Sequence, residues 1–157
     1  MKYNLAIVGA TGAVGRKMLE TIYKRRFPFN KISLLASKKS VGKKIVLNGD
    51  EYEVQSLEDF DFKDTQIAFF SAGSSISETY APLAEKKKCY VIDNTSQFRM
   101  QKDIPLIVPE VNEDDLIKSK RRIVANPNCS TIQMVVALSP IHKIRNIQRV
   151  TFSTYQS

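Results

Sequence analysis

At 157 residues, 43% hydrophobic and 25% charged, the chain is long enough for one domain with a real core, and its composition argues against disorder. Two cysteines, Cys89 and Cys129, make no disulfide framework, the lone His142 stands in no metal-type spacing, and no stretch reaches signal-peptide or membrane-spanning length, so a cytoplasmic, metal-free protein with reduced thiols is expected. The net charge of +8 invites anionic partners, but the basic residues fall in short clusters at helix ends and loop starts without interleaved aromatics, which favours small phosphates over nucleic acid.

In chain order, "YNLAIVG" reads as an apolar strand, and "AVGRKMLETIYKRR" as a helix burying a stripe of Val14, Met18, Leu19 and Ile22. "KISLLAS" is a second strand, "KIVLNGDEYEV" a hairpin around Asn48-Gly49, and "QIAFFSAG" a third core strand. A helix over 76–88 leads to strand "CYVID", followed by an extended "IPLIVPEV" and a short acidic helix near 113–118. Ile123-Val124-Ala125 forms a buried strand that the Pro127 turn ends. A helix opens at Cys129, with Ile132, Val135, Val136 and Leu138 at helical spacing. The closing "QRVTFSTYQS" alternates like a half-buried strand. Strands alternating with helices predict an α/β, Rossmann-like, doubly wound, mostly parallel sheet. The boundaries expected are a dinucleotide-binding domain over 1–127 and, over 128–157, the start of a second α+β catalytic domain whose remainder lies outside these residues.

Two stretches carry chemistry. "VGATGAVG" sets Gly9, Gly12 and Gly15 between an apolar strand and an amphipathic helix, where glycine lets backbone approach a pyrophosphate and the helix N-terminus offers N–H donors. The spacing is GxxGxxG, not the GxGxxG fingerprint, and a purely structural turn is the alternative. After the second strand, Ser37-Lys38-Lys39-Ser40 has no acid for a ribose 2′-OH but two ammonium groups for a 2′-phosphate, which favours NADP; the alternative is a solvated loop. In "NPNCST", Cys129 falls at the first turn of a helix capped by Asn128, Ser130 or Thr131, where free N–H groups and the helix dipole stabilise a thiolate. The competing role for any free cysteine is a small buried hydrophobe.

"GATGAVG", "FFSAGSS", "VIDNTSQFR", "PLIVPEVN", "NPNCSTIQM" and "STYQS" stand in an order and spacing that resembles the aspartate-semialdehyde dehydrogenase family over the whole chain. The resemblance implies an NADP-dependent phosphorylating dehydrogenase of amino-acid biosynthesis that interconverts L-aspartyl 4-phosphate and L-aspartate 4-semialdehyde through a cysteine thioester. It implies Cys129 as nucleophile, Gln156 as the residue orienting substrate, Arg99 as phosphate binder with Asn128 in the same pocket, Thr11, Gly12, Ala13 and Val14 as the phosphate-contacting turn, and Ser71, Ala72 and Gly73 along the cofactor. Lys39 stands where the family commonly has an arginine, a departure that bears on selectivity for NADP over NAD. The resemblance also implies a homodimer of about twice this length, with the catalytic histidine and a second substrate arginine outside these 157 residues, so the chain alone is expected to be inactive. N-acetyl-glutamyl-phosphate reductase shares the glycine turn and cysteine chemistry, but "NTSQFR" and "NPNCST" favour the aspartate enzyme. A non-catalytic nucleotide-binding module is the reading from a different class. His142 is expected on the surface or at a helix end, and Cys89 as a core or strand-edge thiol.

Overall fold

The computed structural model describes residues 2–155. Seven strands form one sheet: β1 (Tyr3–Val8), β2 (Phe29–Ala36), β3 (Lys44–Leu47), β4 (Asp50–Ser56), β5 (Ile67–Phe70), β6 (Tyr90–Asp93) and β7 (Ile123–Ala125). Their order is β3-β4-β2-β1-β5-β6-β7, parallel throughout except for the β3–β4 hairpin. The helices are α1 (Ala13–Lys24), α2 (Ser74–Lys86), α3 (Pro109–Asn112), α4 (Asp114–Lys118) and α5 (Cys129–Ile144).

Alternation along β1 divides the core between the sheet's two faces. Leu5 and Ile7 pack with Leu19 and Ile22 of α1 and with Ile32 and Leu34. Ala6 and Val8 turn the other way, toward Ala81 and Ala84 of α2 and toward Phe70, Val91 and Ile123. Helices on both faces explain why β1 reads as a continuous apolar run instead of an alternating one. From β1 the chain moves outward to β2, then crosses back through β5 to the other side of β1. The order of strands therefore reverses at β1, and the crevice beyond the carboxyl ends of β1 and β5 is a topological switch point. The hairpin turns on Asn48 (φ 52°) and Gly49 (φ 90°), the pair of positive angles that matches the twist of the flanking strands.

Away from the crevice, α2 is tied to the segment before β7 by Arg121. Its Nε and Nη2 donate to the two carboxylate oxygens of Glu85 at 3.0 and 2.8 Å, and the Arg122 N–H donates to the same group at 2.7 Å. The Arg121 guanidinium beside it holds the Glu85 carboxyl below its ordinary value. Lysines in the last turns of α1, α2 and α4 complement the helix dipoles, which accounts for part of the positive charge.

Four expectations need correction, the first being the extended "IPLIVPEV", whose last three residues enter helix α3, with Pro109 in the first turn. Val14 is 47% exposed, and the buried stripe of α1 runs through Gly15, Leu19 and Ile22. Helix α1 presses Gly15 against the glycine turn at Gly9 and Ala10, and Val14 beside it faces outward. Helix α2 begins at Ser74, where Gly73 (φ 97°) supplies the turn. The closing segment forms no strand among its described residues, and Val150 and Phe152 are about half exposed. The edge of β7 where a further strand would add is already engaged: the Ala125 N–H donates to the Pro105 carbonyl and the Ile107 N–H to that of Ala125. Alternation that pairs with no sheet edge does not make a strand.

Candidate active site

The glycine turn sits at the switch point. Gly9 has φ 88°, and a Cβ there would lie 3.0 Å from the backbone of Ser71 and Ala72, so the chain after β1 and the chain after β5 meet only because this residue is glycine. Gly15 serves a different contact. A Cβ on it would collide with the Gly9 carbonyl oxygen and stand 2.8 Å from the Ala10 Cα, which makes it the point of closest approach between α1 and the turn. Gly12 caps α1 without any side-chain hydrogen bond. The N–H groups of Ala13, Val14 and Gly15 therefore have no acceptor within the helix and no capping side chain, a donor set suited to an anion such as a pyrophosphate.

A cleft of about 390 Å³ opens beside this turn, lined by Gly9, Thr11, Gly12, Ser37, Ser71 and Ala72 together with Leu57, Glu58, Ile76 and Tyr80. Ser71 donates from Oγ to the Val8 carbonyl at 3.2 Å, locking the two strand ends together. At the rim, Lys38, Lys39 and Ser40 form a single 3₁₀ turn after β2, closed by the Ser40 N–H donating to the Ser37 carbonyl at 2.8 Å. Lys38 Nζ meets Glu58 Oε2 at 2.6 Å, and this hydrogen bond, with the added field of Asp59, raises the ammonium above its ordinary value.

The second group of residues is organised by Asp93 at the end of β6. Its side chain is fully buried and accepts from Ser77 Oγ at 2.7 Å, from the Thr95 N–H at 3.2 Å and from Thr95 Oγ1 at 2.8 Å. Its carbonyl accepts from the Asn126 N–H at 2.8 Å. One residue thus fixes both the loop that carries Arg99 and the turn that carries Cys129. Arg99 donates from Nε to the Asn126 carbonyl at 3.0 Å and from Nη2 to the Asn94 carbonyl at 3.1 Å, while Asn126 Nδ2 donates to Asn94 Oδ1 at 2.7 Å. Two of the five guanidinium N–H groups are committed to these carbonyls, and three are left for an anion. Asn128 caps α5, its Oδ1 accepting from the Ser130 N–H at 2.9 Å, and Cys129 is exposed in the first turn. Cys89 is fully buried in the core, where burial pushes its thiol up to about 12.

A family model described as "Semialdehyde dehydrogenase, NAD binding domain" matches residues 4–119. The chain belongs to this family. Among its relatives, the aspartate-semialdehyde dehydrogenase of Shewanella violacea is 48% identical over 157 residues, covering 99% of this chain and 46% of the relative. That of Bacillus subtilis is 51% identical over 154 residues, covering 98% and 44%. A crystal structure of aspartate semialdehyde dehydrogenase II from Vibrio cholerae, complexed with ASA, superposes with a TM-score of 0.88 at 51% identity, covering 91% of this chain and 47% of that one. The chain spans about half the length of the curated relatives it matches.

Within this semialdehyde dehydrogenase domain, the structure gathers the sequence-predicted residues into two groups. Gly9, Thr11, Gly12, Ser37, Ser71 and Ala72 line the cleft. Ala13 and Val14 do not line it but follow Gly12 in the first turn of α1, Lys38, Lys39 and Ser40 follow Ser37 at its rim, and Gly73 stands just before α2. Arg99 is tied to the turn that leads into Asn128 and Cys129 by its hydrogen bond to the Asn126 carbonyl. Gln156 lies outside the described residues. His142 is exposed in the last turn of α5, its Nδ1 accepting from the Ile147 N–H, apart from both groups. Sequence reasoning missed Leu57, Glu58, Ile76, Tyr80 and Asp93. Ile76 and Tyr80 are four apart on one face of α2, a signal the sequence did carry. No helix among the described residues is long and apolar enough to cross a membrane, and no group of His, Cys, Asp or Glu among them could hold a metal ion.

Proposed function

We propose that this chain is the nucleotide-binding part of an NADP-dependent phosphorylating dehydrogenase that interconverts L-aspartate 4-semialdehyde and L-aspartyl 4-phosphate, with Cys129 as its nucleophile. The observation that carries the reading is the hydrogen bond from Arg99 to the Asn126 carbonyl, which ties the arginine's loop to the turn leading into Cys129, itself exposed in the first turn of α5. Identity near 50% to aspartate-semialdehyde dehydrogenases supports the choice of substrate, as does the ASA complex of the Vibrio cholerae enzyme. NADP is supported by Lys39, which makes no ion pair among the described residues at the cleft rim.

In this reading the Cys129 thiolate adds to the aldehyde carbon and forms a C–S bond, giving a thiohemiacetal. The bound nicotinamide would supply the hydride acceptor that converts this adduct to a thioester. Arg99 holds inorganic phosphate through its uncommitted N–H groups, and a phosphate oxygen attacks the thioester carbon. The C–S bond breaks, the thiolate is regenerated and the acyl phosphate leaves. The first-turn N–H groups of α5 stabilise the sulfur anion before attack and after release. Residues 1–127 form the cofactor domain and 128–157 begin a catalytic and dimerisation domain of a cytoplasmic homodimer; the absence of any buried residue in α5, despite Ile132, Val135 and Leu138, supports that division.

The test compares the alkylation rate of Cys129 by limiting iodoacetamide in the folded chain with its rate in urea, read by peptide mass spectrometry. The folded chain should react faster at Cys129 and not at Cys89. Equal or slower reaction at Cys129 on folding removes the nucleophile from the mechanism.

A further inference from the structure

The absence of an acid after β2 favours a 2′-phosphate, but the fold brings an acid to that rim from elsewhere. Strands β2 and β4 are parallel neighbours, with Ala36 paired to Ser56. The ladder continues one step beyond them, the Leu57 N–H donating to the Ala36 carbonyl at 2.9 Å. Lys38 and Glu58 each follow the paired residues by two, so they emerge side by side, and their charged ends meet at 2.6 Å. Glu58 also lines the cleft beside Ser37, with its side chain about half exposed.

We infer that Glu58 sets the cofactor selectivity of this cleft, by occupying Lys38 and by placing a carboxylate where the adenosine ribose would sit. This rests on the dinucleotide reading of the cleft and deepens it. A carboxylate in this place accepts a hydrogen bond from a free ribose 2′-OH, the interaction by which doubly wound folds hold NAD. A 2′-phosphate meets the opposite conditions. It must draw Lys38 away from Glu58 and then remain near an uncompensated negative charge. The two lysines at the rim are therefore unequal: Lys39 is available to a phosphate, and the contribution of Lys38 is offset by its partner. The outcome is a cleft that takes NAD as well as NADP, with a narrower preference than two lysines and no acid in the loop would suggest. Because the pair is solvent-exposed, its effect is modest and salt-dependent.

The experiment is a titration of the 157-residue chain with NADPH and with NADH at low ionic strength, followed by nicotinamide fluorescence, for the wild type, Glu58→Gln, and Glu58→Gln with Lys38→Ala. Glu58→Gln should raise the ratio of NADPH to NADH affinity about three- to tenfold, and adding Lys38→Ala should remove most of that gain, since the two residues act on one phosphate. An unchanged ratio in Glu58→Gln, with both cofactors still binding, overturns the inference while leaving the dinucleotide reading intact. Failure of the wild-type chain to bind either cofactor overturns the dinucleotide reading, and the role of Glu58 falls with it.

Discussion

Replacing Asp93 with Asn changes one atom of a side chain that no solvent reaches, and the structure lets its cost be worked out. The carboxylate accepts three hydrogen bonds, two at Oδ1 from Ser77 Oγ and the Thr95 N–H, and one at Oδ2 from Thr95 Oγ1. An amide keeps one acceptor oxygen and turns two donors toward the other side. The Thr95 N–H cannot accept, so one orientation of the amide sets donor against donor, and the other leaves the Thr95 hydroxyl proton without its acceptor, its oxygen already accepting from the Gln97 N–H. Hydrogen bonds to a charged group contribute about 1.5–3 kcal/mol each, and a buried donor left unpaired costs about 1–3 kcal/mol. Losing one such bond and the charge that strengthened the others should cost about 2–4 kcal/mol. With a urea m-value of about 2 kcal/mol/M for a domain of this size, the unfolding midpoint should fall by roughly 1–2 M at unchanged m. Urea titration followed by circular dichroism measures this directly. A midpoint within about 0.25 M of the wild type would refute the view that Asp93 is the fixed point for both the Arg99 loop and the cysteine turn.

Gly15→Ala should destabilise the chain by about 1–3 kcal/mol and weaken NADPH binding, because its Cβ meets backbone of the glycine turn that cannot yield without moving; thermal unfolding and fluorescence titration read the two effects. Lys39→Ala should weaken NADPH roughly tenfold with little change for NADH, and Lys38→Ala should do less, as calorimetry with the two cofactors would show. Because the Glu85 carboxyl is held below its unfolded value, the stability it contributes is fully present above about pH 4.5 and is lost as pH falls through the folded value. Urea midpoints should drop over that acid range in the wild type, and Glu85→Gln should flatten the drop.

What could be read from the sequence was local. The glycine turn, the Asn48-Gly49 hairpin and the placement of Cys129 behind an Asn128 cap each depend on residues within a few positions of one another, and the structure has all three. Helix α1 was legible as an element, but its buried face was misjudged by one residue, since nothing local says that Gly15 must meet the Gly9 carbonyl. Glu58 was invisible for a topological reason. Its place beside Lys38 follows from the parallel pairing of β2 with β4, whereas the sequence announces only the β3–β4 hairpin. Asp93 looked like the polar end of an apolar strand. Its role depends on Ser77 in the preceding helix and Asn126 beyond β7, contacts with no spacing to betray them. The closing alternation around Val150 and Phe152 failed for the converse reason: the pattern was present, but the edge of β7 was already engaged by 105–107.

The proposed function requires that one nucleotide lie across the glycine turn with its reactive end toward Cys129. Titrating the isotopically labelled chain with NADPH and following backbone amides by NMR tests this most directly. The account predicts the largest shifts at Gly9 to Gly15, Ser37 to Ser40 and Ser71 to Gly73, a further shift at Cys129, and slower alkylation of Cys129 when NADPH is bound. Shifts confined to other surfaces, or saturation of the glycine turn with Cys129 unaffected in both amide shift and alkylation rate, would contradict it.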